Sequence, residues 1–180
     1  MHGMQATTNG ARSAVTAAAV VAAVGAATIL GAWYFQYVMG LAPCPLCLDQ
    51  RIAYYVSIPL AVAVALAAGR GAPSRAVTAG LAIIAVAMLF NAGLALFHAG
   101  VEWKWWPGPQ ECSGSTDSLA PSGDLFDDLS KGRFSVVRCD EAAWRDPFGL
   151  LSLAGYNVLI SLALAVTAAR GAVGAWRGRA

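Results

Sequence analysis

Four apolar stretches constrain this chain more than any other feature. They cover approximately residues 15–39, 48–68, 76–98 and 150–169. Each approaches the roughly 20 residues that an α-helix needs to cross a bilayer's hydrocarbon core. A helix satisfies its own backbone hydrogen bonds in lipid, so the pattern predicts an all-α membrane protein built as a four-helix bundle. A soluble protein would have to bury four such helices on all faces within 180 residues. Composition argues against that, because only 12% of the residues are charged, against roughly 25% in soluble domains. Pro59 falls inside the second stretch. A spanning helix tolerates it where neighbouring groups re-satisfy the backbone.

The first stretch invites comparison with a secretory signal, since Arg12 precedes an alanine-rich run. The apolar run continues through Trp33, Tyr34 and Phe35 to Met39. That outlasts the roughly 7–15-residue core of a signal peptide, so a retained first span is expected.

Charge sets the expected orientation. Arg12 precedes span one, Arg70 and Arg75 lie between spans two and three, and Arg170, Arg177 and Arg179 follow span four. No acidic residue occurs in these segments; all ten Asp and Glu fall at the head of span two or in the 99–149 loop. Counting Lys and Arg near span ends places both termini and the 69–75 turn in the cytoplasm. Arg51, Lys104, Lys131, Arg133, Arg138 and Arg145 fall on the opposite side, mostly in a long 99–149 loop where the rule carries less weight. A single integral membrane domain over 1–180 is expected, with outer loops at 40–47 and 99–149.

All four cysteines, Cys44, Cys47, Cys112 and Cys139, then lie outside the cytoplasm, where disulfides persist. Three pairings are possible. Local reach favours Cys44 with Cys47, leaving Cys112 with Cys139. A bridge closing about 28 residues would stabilise the second loop by roughly 3–4 kcal/mol. A two-residue spacing closes almost no loop, so the first pair suits exchange better than support. Structural zinc sites usually present two close pairs, and only one is close here, so no metal ligands are assigned. Leu48 follows Cys47 where haem attachment needs histidine.

Pro43 and Pro45 bracket Cys44 and discourage span one from continuing. Cys47 then falls in or beside the first turn of the next helix, where the dipole favours a thiolate. Arg51 lies one turn beyond it on the same face. It is a candidate to stabilise a thiolate or a reduced oxygen acceptor, and equally a candidate anchor in the headgroups. Trp103, Trp105 and Trp106 suit the membrane interface. Segment 123–131 has amphipathic spacing, and 113–122 is rich in Ser, Gly and Pro. His98 and Glu102 are four apart, and His98 is a candidate for proton transfer or an ordinary interfacial histidine. Asn91 and Asn157 should bond to other helices or to a loop, while Gly25 and Gly31 suit close helix contacts.

Four spans, Cys44-Pro45-Leu46-Cys47 in the first outer loop, the following Gln50-Arg51, and Cys112 and Cys139 in the second loop together resemble the DsbB family of the bacterial inner membrane. The resemblance covers nearly the whole chain. It implies a quinone-dependent protein thiol-disulfide oxidoreductase with a periplasmic DsbA-like, thioredoxin-fold partner and no nucleic acid. By that resemblance Cys112 forms the mixed disulfide with the partner, Cys139 resolves it, and electrons pass to Cys44–Cys47. Cys47 and Arg51 match residues beside a ubiquinone or menaquinone, and Gln50 and His98 are further candidates for that site. A different class, a structural or assembly membrane protein with two inert disulfides, fits the same cysteines. A transporter fits poorly, because few ionisable residues lie within the spans and no internal repeat is clear.

Overall fold

The computed structural model describes residues 2–109 and 138–178, with side chains from residue 9 onward. Four long helices dominate these residues: α1 (His2–Trp33), α2 (Pro45–Gly69), α3 (Ser74–Glu102) and α4 (Leu153–Arg177). A π-helical turn, Tyr34–Val38, extends α1. Each of the four is long and apolar enough to cross a membrane. The chain is thus an all-α, multi-pass membrane protein. Its helices pack as a ring, α1 on α2, α2 on α3, α3 on α4, and α4 back on α1. Short connections make the first three antiparallel, so the start of α2 and the end of α3 meet at one end of the bundle.

The helices overrun the apolar stretches, for local reasons. Helix α2 begins at Pro45 rather than 48 because Cys44 caps it. The Cys44 Sγ accepts from the Cys47 N–H at 3.2 Å, and Pro45 takes the first helical position, where no donor is needed. Cys44 stays extended, at φ −75° and ψ 164°, as a residue before proline prefers. Helix α3 continues to Glu102, so the outer connection begins there rather than at 99. Residues 98–102 are buried, and Trp106 folds back over them. Its indole N–H donates to the Phe97 carbonyl at 2.9 Å, and its ring stacks on Phe97. A side chain on Gly100 would collide with that indole. Lys104 makes the reversal at φ 62°. Helix α4 starts behind Ser152, whose Oγ accepts from the Gly155 N–H at 3.2 Å. It ends on Arg177, whose charge suits the C-terminal dipole. Segments 113–122 and 123–131 lie outside the described residues.

Alanines make up much of the core, with Val21, Leu81, Ile84, Met88 and Leu164 filling between them. Larger apolar residues such as Ile83, Val86 and Phe90 point outward, as a lipid-facing surface requires. Close approach of α1 and α4 depends on Gly171. A Cβ there would lie 2.5 Å from the Ala17 Cβ and 3.2 Å from a Leu81 methyl. Gly25 similarly faces Ile58. Gly31 has no such neighbour within 4 Å; it borders a cavity instead. Asn91 and Asn157 do bond across helices, to Ser161 and Gln50.

Gly171→Val should therefore destabilise the bundle by about 1–3 kcal/mol, the usual cost of overpacking. Gly93→Ala, in open space, should be neutral or slightly stabilising. Thermal unfolding in detergent checks both, and equal shifts would remove Gly171 from the α1–α4 contact.

Candidate functional site

The capping geometry at the head of α2 brings the two cysteines together. Cys44 and Cys47 are free thiols with their sulfurs 2.7 Å apart. The pair expected from local reach is juxtaposed, and this structure holds it as a dithiol. Cys44 donates to Cys47. That hydrogen bond, and then burial, push the Cys44 thiol well above its ordinary pKa. Cys44 is the buried partner of the two, and Cys47 is only partly covered.

His98, from the last turns of α3, lies against the pair. Its Nε2 is 3.6 Å from the Cys44 Sγ and 3.8 Å from a Glu102 carboxylate oxygen. It is also hydrogen-bonded to the main chain of Cys139. Its Nδ1 meets the Gln50 Nε2 at 2.9 Å. The other end of Gln50 accepts from the Asn157 Nδ2 at 2.5 Å. The Tyr54 hydroxyl donates to the Asn157 Oδ1 at 2.6 Å, and Ser161 and Asn91 complete the cluster. A chain of polar side chains thus runs from the dithiol into the apolar interior. Such groups are costly in a membrane unless they satisfy one another.

Arg51 faces a different partner. Its guanidinium donates to the Gln36 side-chain oxygen at 2.6 Å, and Gln36 comes from the π turn that ends α1. Between α1, α2 and α4 lies a cavity of about 360 Å³. Cys47, Gln50, Arg51, Tyr54, His98 and Asn157 contribute polar groups to its lining, as do Thr28 and Tyr156, and most of the exposed lining is apolar. Phe35 and Trp144 form one wall, with ring centroids 5.3 Å apart. All four residues singled out for the cofactor therefore border one space.

Cys139 is fully buried, packed with Cys44, Leu46 and Val101. It is held in a disulfide, and its expected mate Cys112 lies outside the described residues. Asp140 pins this segment to the end of α3. It takes Lys104 at 2.6 Å and Arg138 at 2.9 Å. Arg138 first, and then Lys104, hold the Asp140 carboxyl well below the usual range. The tether is therefore complete above an ordinary carboxylate pKa and is lost as pH falls through the depressed value.

A protein-family model described as disulfide bond formation protein DsbB matches residues 14–170. The chain belongs to the DsbB family. Disulfide bond formation protein B of Aromatoleum aromaticum is 32% identical over 136 residues, covering 75% of this chain and 78% of its own. The protein of that name from Burkholderia thailandensis is 33% identical over 159 residues, covering 85% of each chain. No solved structure gives a significant match.

Several residues at this DsbB-family site escaped the sequence. Gln36, Tyr54 and Trp144 carried no local signal. Asn157 stood out as a polar residue in a span, though not as the support for Gln50. Cysteine spacing by itself gives no metal site, because the third ligand comes from another helix. His98, 54 positions from Cys44, joins the two sulfurs in a group whose ligand atoms all lie within 4.8 Å of one another.

Burial and the raised pKa should keep Cys44 protonated through neutral and mildly alkaline pH. In the reduced protein, brief N-ethylmaleimide treatment should label Cys47 well before Cys44, as read by peptide mass spectrometry. Equal rates, or Cys44 first, would contradict the donor–acceptor order of the pair.

Proposed function

We propose that this protein is a quinone-dependent thiol-disulfide oxidoreductase that reoxidises a DsbA-like, thioredoxin-fold protein. DsbB-family membership itself implies quinone-linked disulfide oxidoreductase activity in general. One observation supports the finer reading most. Cys47 stands between Cys44 and an apolar cavity that Gln50, Arg51 and His98 also line. A cavity of about 360 Å³ falls within the ~300–1,000 Å³ typical of small-molecule sites. Its few polar groups suit a flat ring with two carbonyls, and its aromatic and aliphatic walls suit the rest of a ubiquinone or menaquinone. When bound, the quinone supplies an acceptor for two electrons and two protons.

The chain's own groups then have distinct tasks. Arg51, held by Gln36, keeps a fixed cation at the cavity, and Gln50 and His98 add hydrogen-bonding groups. The partner's dithiol reduces the disulfide of Cys112 and Cys139 and becomes a disulfide itself. The Cys112 and Cys139 thiols so formed in turn reduce the Cys44–Cys47 disulfide to two thiols and become a disulfide again. Each exchange is thiolate attack on sulfur. Burial of Cys139 beside Cys44 supports transfer between the pairs. The argininyl pattern at 12, 70, 75, 170, 177 and 179 supports cytoplasmic termini and a periplasmic dithiol, in a bacterial inner membrane.

Purified protein, a reduced thioredoxin-fold partner and a short-chain ubiquinone should give partner-dependent loss of quinone absorbance. Cys44→Ser and Cys47→Ser should each abolish turnover. Arg51→Gln should lower kcat/KM for quinone by roughly 10–150-fold, the loss of a charged hydrogen bond worth about 1.5–3 kcal/mol. Quinone reduction that persists in both serine variants would overturn the function.

A further inference from the structure

We propose that the reduced Cys44–Cys47 pair, with His98 and the Glu102 carboxylate, is a binding site for one thiophilic divalent cation of the zinc and cadmium class. The site rests on four side chains and stands independently of the quinone reading. Two sulfurs and an imidazole nitrogen already converge, with all ligand atoms within 4.8 Å of one another. Soft thiolates with one imidazole are the donor set that zinc-class ions select.

Glu102 supplies the second observation. It is buried, one of its oxygens lies 3.8 Å from the His98 Nε2, and its Oε2 has no hydrogen-bond partner among the described residues. Ser152 and Arg145 also act on this carboxylate; lying beside His98 rather than within the three-residue group, it can turn its unpartnered oxygen toward a bound ion, whose divalent charge offsets its burial.

The spacing fits with one adjustment. Tetrahedral zinc, with bonds of about 2.3 Å to sulfur and about 2.05 Å to nitrogen, separates S from N by about 3.5 Å and S from S by about 3.8 Å. Cys44 and His98 stand at 3.6 Å, ready for such an ion. The sulfurs, now 2.7 Å apart, must open by about 1 Å. His98 must exchange its hydrogen bond to the Cys139 main chain for the ion, and the Gln50 amide, whose nitrogen now faces Nδ1, must turn so that its oxygen accepts from the Nδ1–H. A partner on the far ring nitrogen is what orients metal-bound histidines.

Binding changes no oxidation state. Two S–H bonds break, two protons leave to water, and two metal–sulfur bonds form. The Cys44–Cys47 disulfide has no thiolate to offer, so the site exists only in the reduced protein. Occupancy removes the pair from exchange, making the cation an inhibitor that acts on the reduced form.

The test titrates reduced, full-length protein in detergent with Cd²⁺ alone, after removal of free thiol. Ultraviolet thiolate-to-cadmium absorption reports binding, and alkylation with peptide mapping reports where the ion sits. Cd²⁺ should protect the Cys44–Cys47 peptide from N-ethylmaleimide, and air-oxidised protein should give no band. The Cys112→Ser/Cys139→Ser variant should keep one equivalent of Cd²⁺, and adding Cys44→Ser should remove it. His98→Ala should weaken binding at least tenfold and Glu102→Gln severalfold. His98→Cys, which replaces one soft ligand by another, should bind as tightly as the parent. Absence of protection in the reduced wild-type protein would overturn the site. So would unchanged affinity in His98→Ala, or equal weakening in His98→Ala and His98→Cys. Neither readout requires quinone or turnover, so failure here leaves the oxidoreductase reading standing, and the reverse also holds.

Discussion

Gln50 joins three helices with one amide. It is buried where α2, α3 and α4 meet, and both of its ends are engaged. Its oxygen accepts from Asn157 on α4, and its nitrogen meets the Nδ1 of His98 on α3. An unpaired amide at this depth would cost several kcal/mol, so the pairing constrains helix register as well as local geometry. Once Gln50 is placed, His98 can only present its Nε2 to Cys44 and Glu102. Tyr54, Ser161 and Asn91 then extend the network inward.

The dithiol gains from the same economy. Cys44 ends the connection from α1, caps α2 through its sulfur, and shares a buried cluster with Cys139. Cys47, three residues on, faces the cavity. Neighbouring sulfurs are therefore directed toward different surroundings, one toward the protein-held disulfide and one toward a space open to an apolar ligand. Arg51, a turn further along α2, is steadied by Gln36 from the π turn of α1. Helix geometry alone spaces these groups, since residues three and four apart share a face.

Much of this was legible in the chain. Four apolar stretches fixed the fold class, because lipid leaves helices few alternatives. Helix ends were less legible: α2 starts earlier than its apolar run, through a cysteine acting as cap, and α3 ends later, through Trp106 packing on Gly100. Cys44, Cys47 and Arg51 were readable because they are close in sequence. The roles of Gln36, Tyr54, Glu102 and Asn157 were not, because each depends on contacts between helices that no local pattern encodes. Gly31 shows the converse. A small residue suggested packing, yet it opens onto the cavity.

We propose that the cavity between α1, α2 and α4, beside Cys47, receives the quinone. Photo-crosslinking with an azido-substituted short-chain quinone, followed by peptide mass spectrometry, locates the bound ring. Label should appear on cavity-lining segments around Phe35, Arg51 and Ile160, and excess unmodified quinone should compete it away. Competable label confined to the outward α3 face around Val86 and Phe90 would place the quinone outside this cavity.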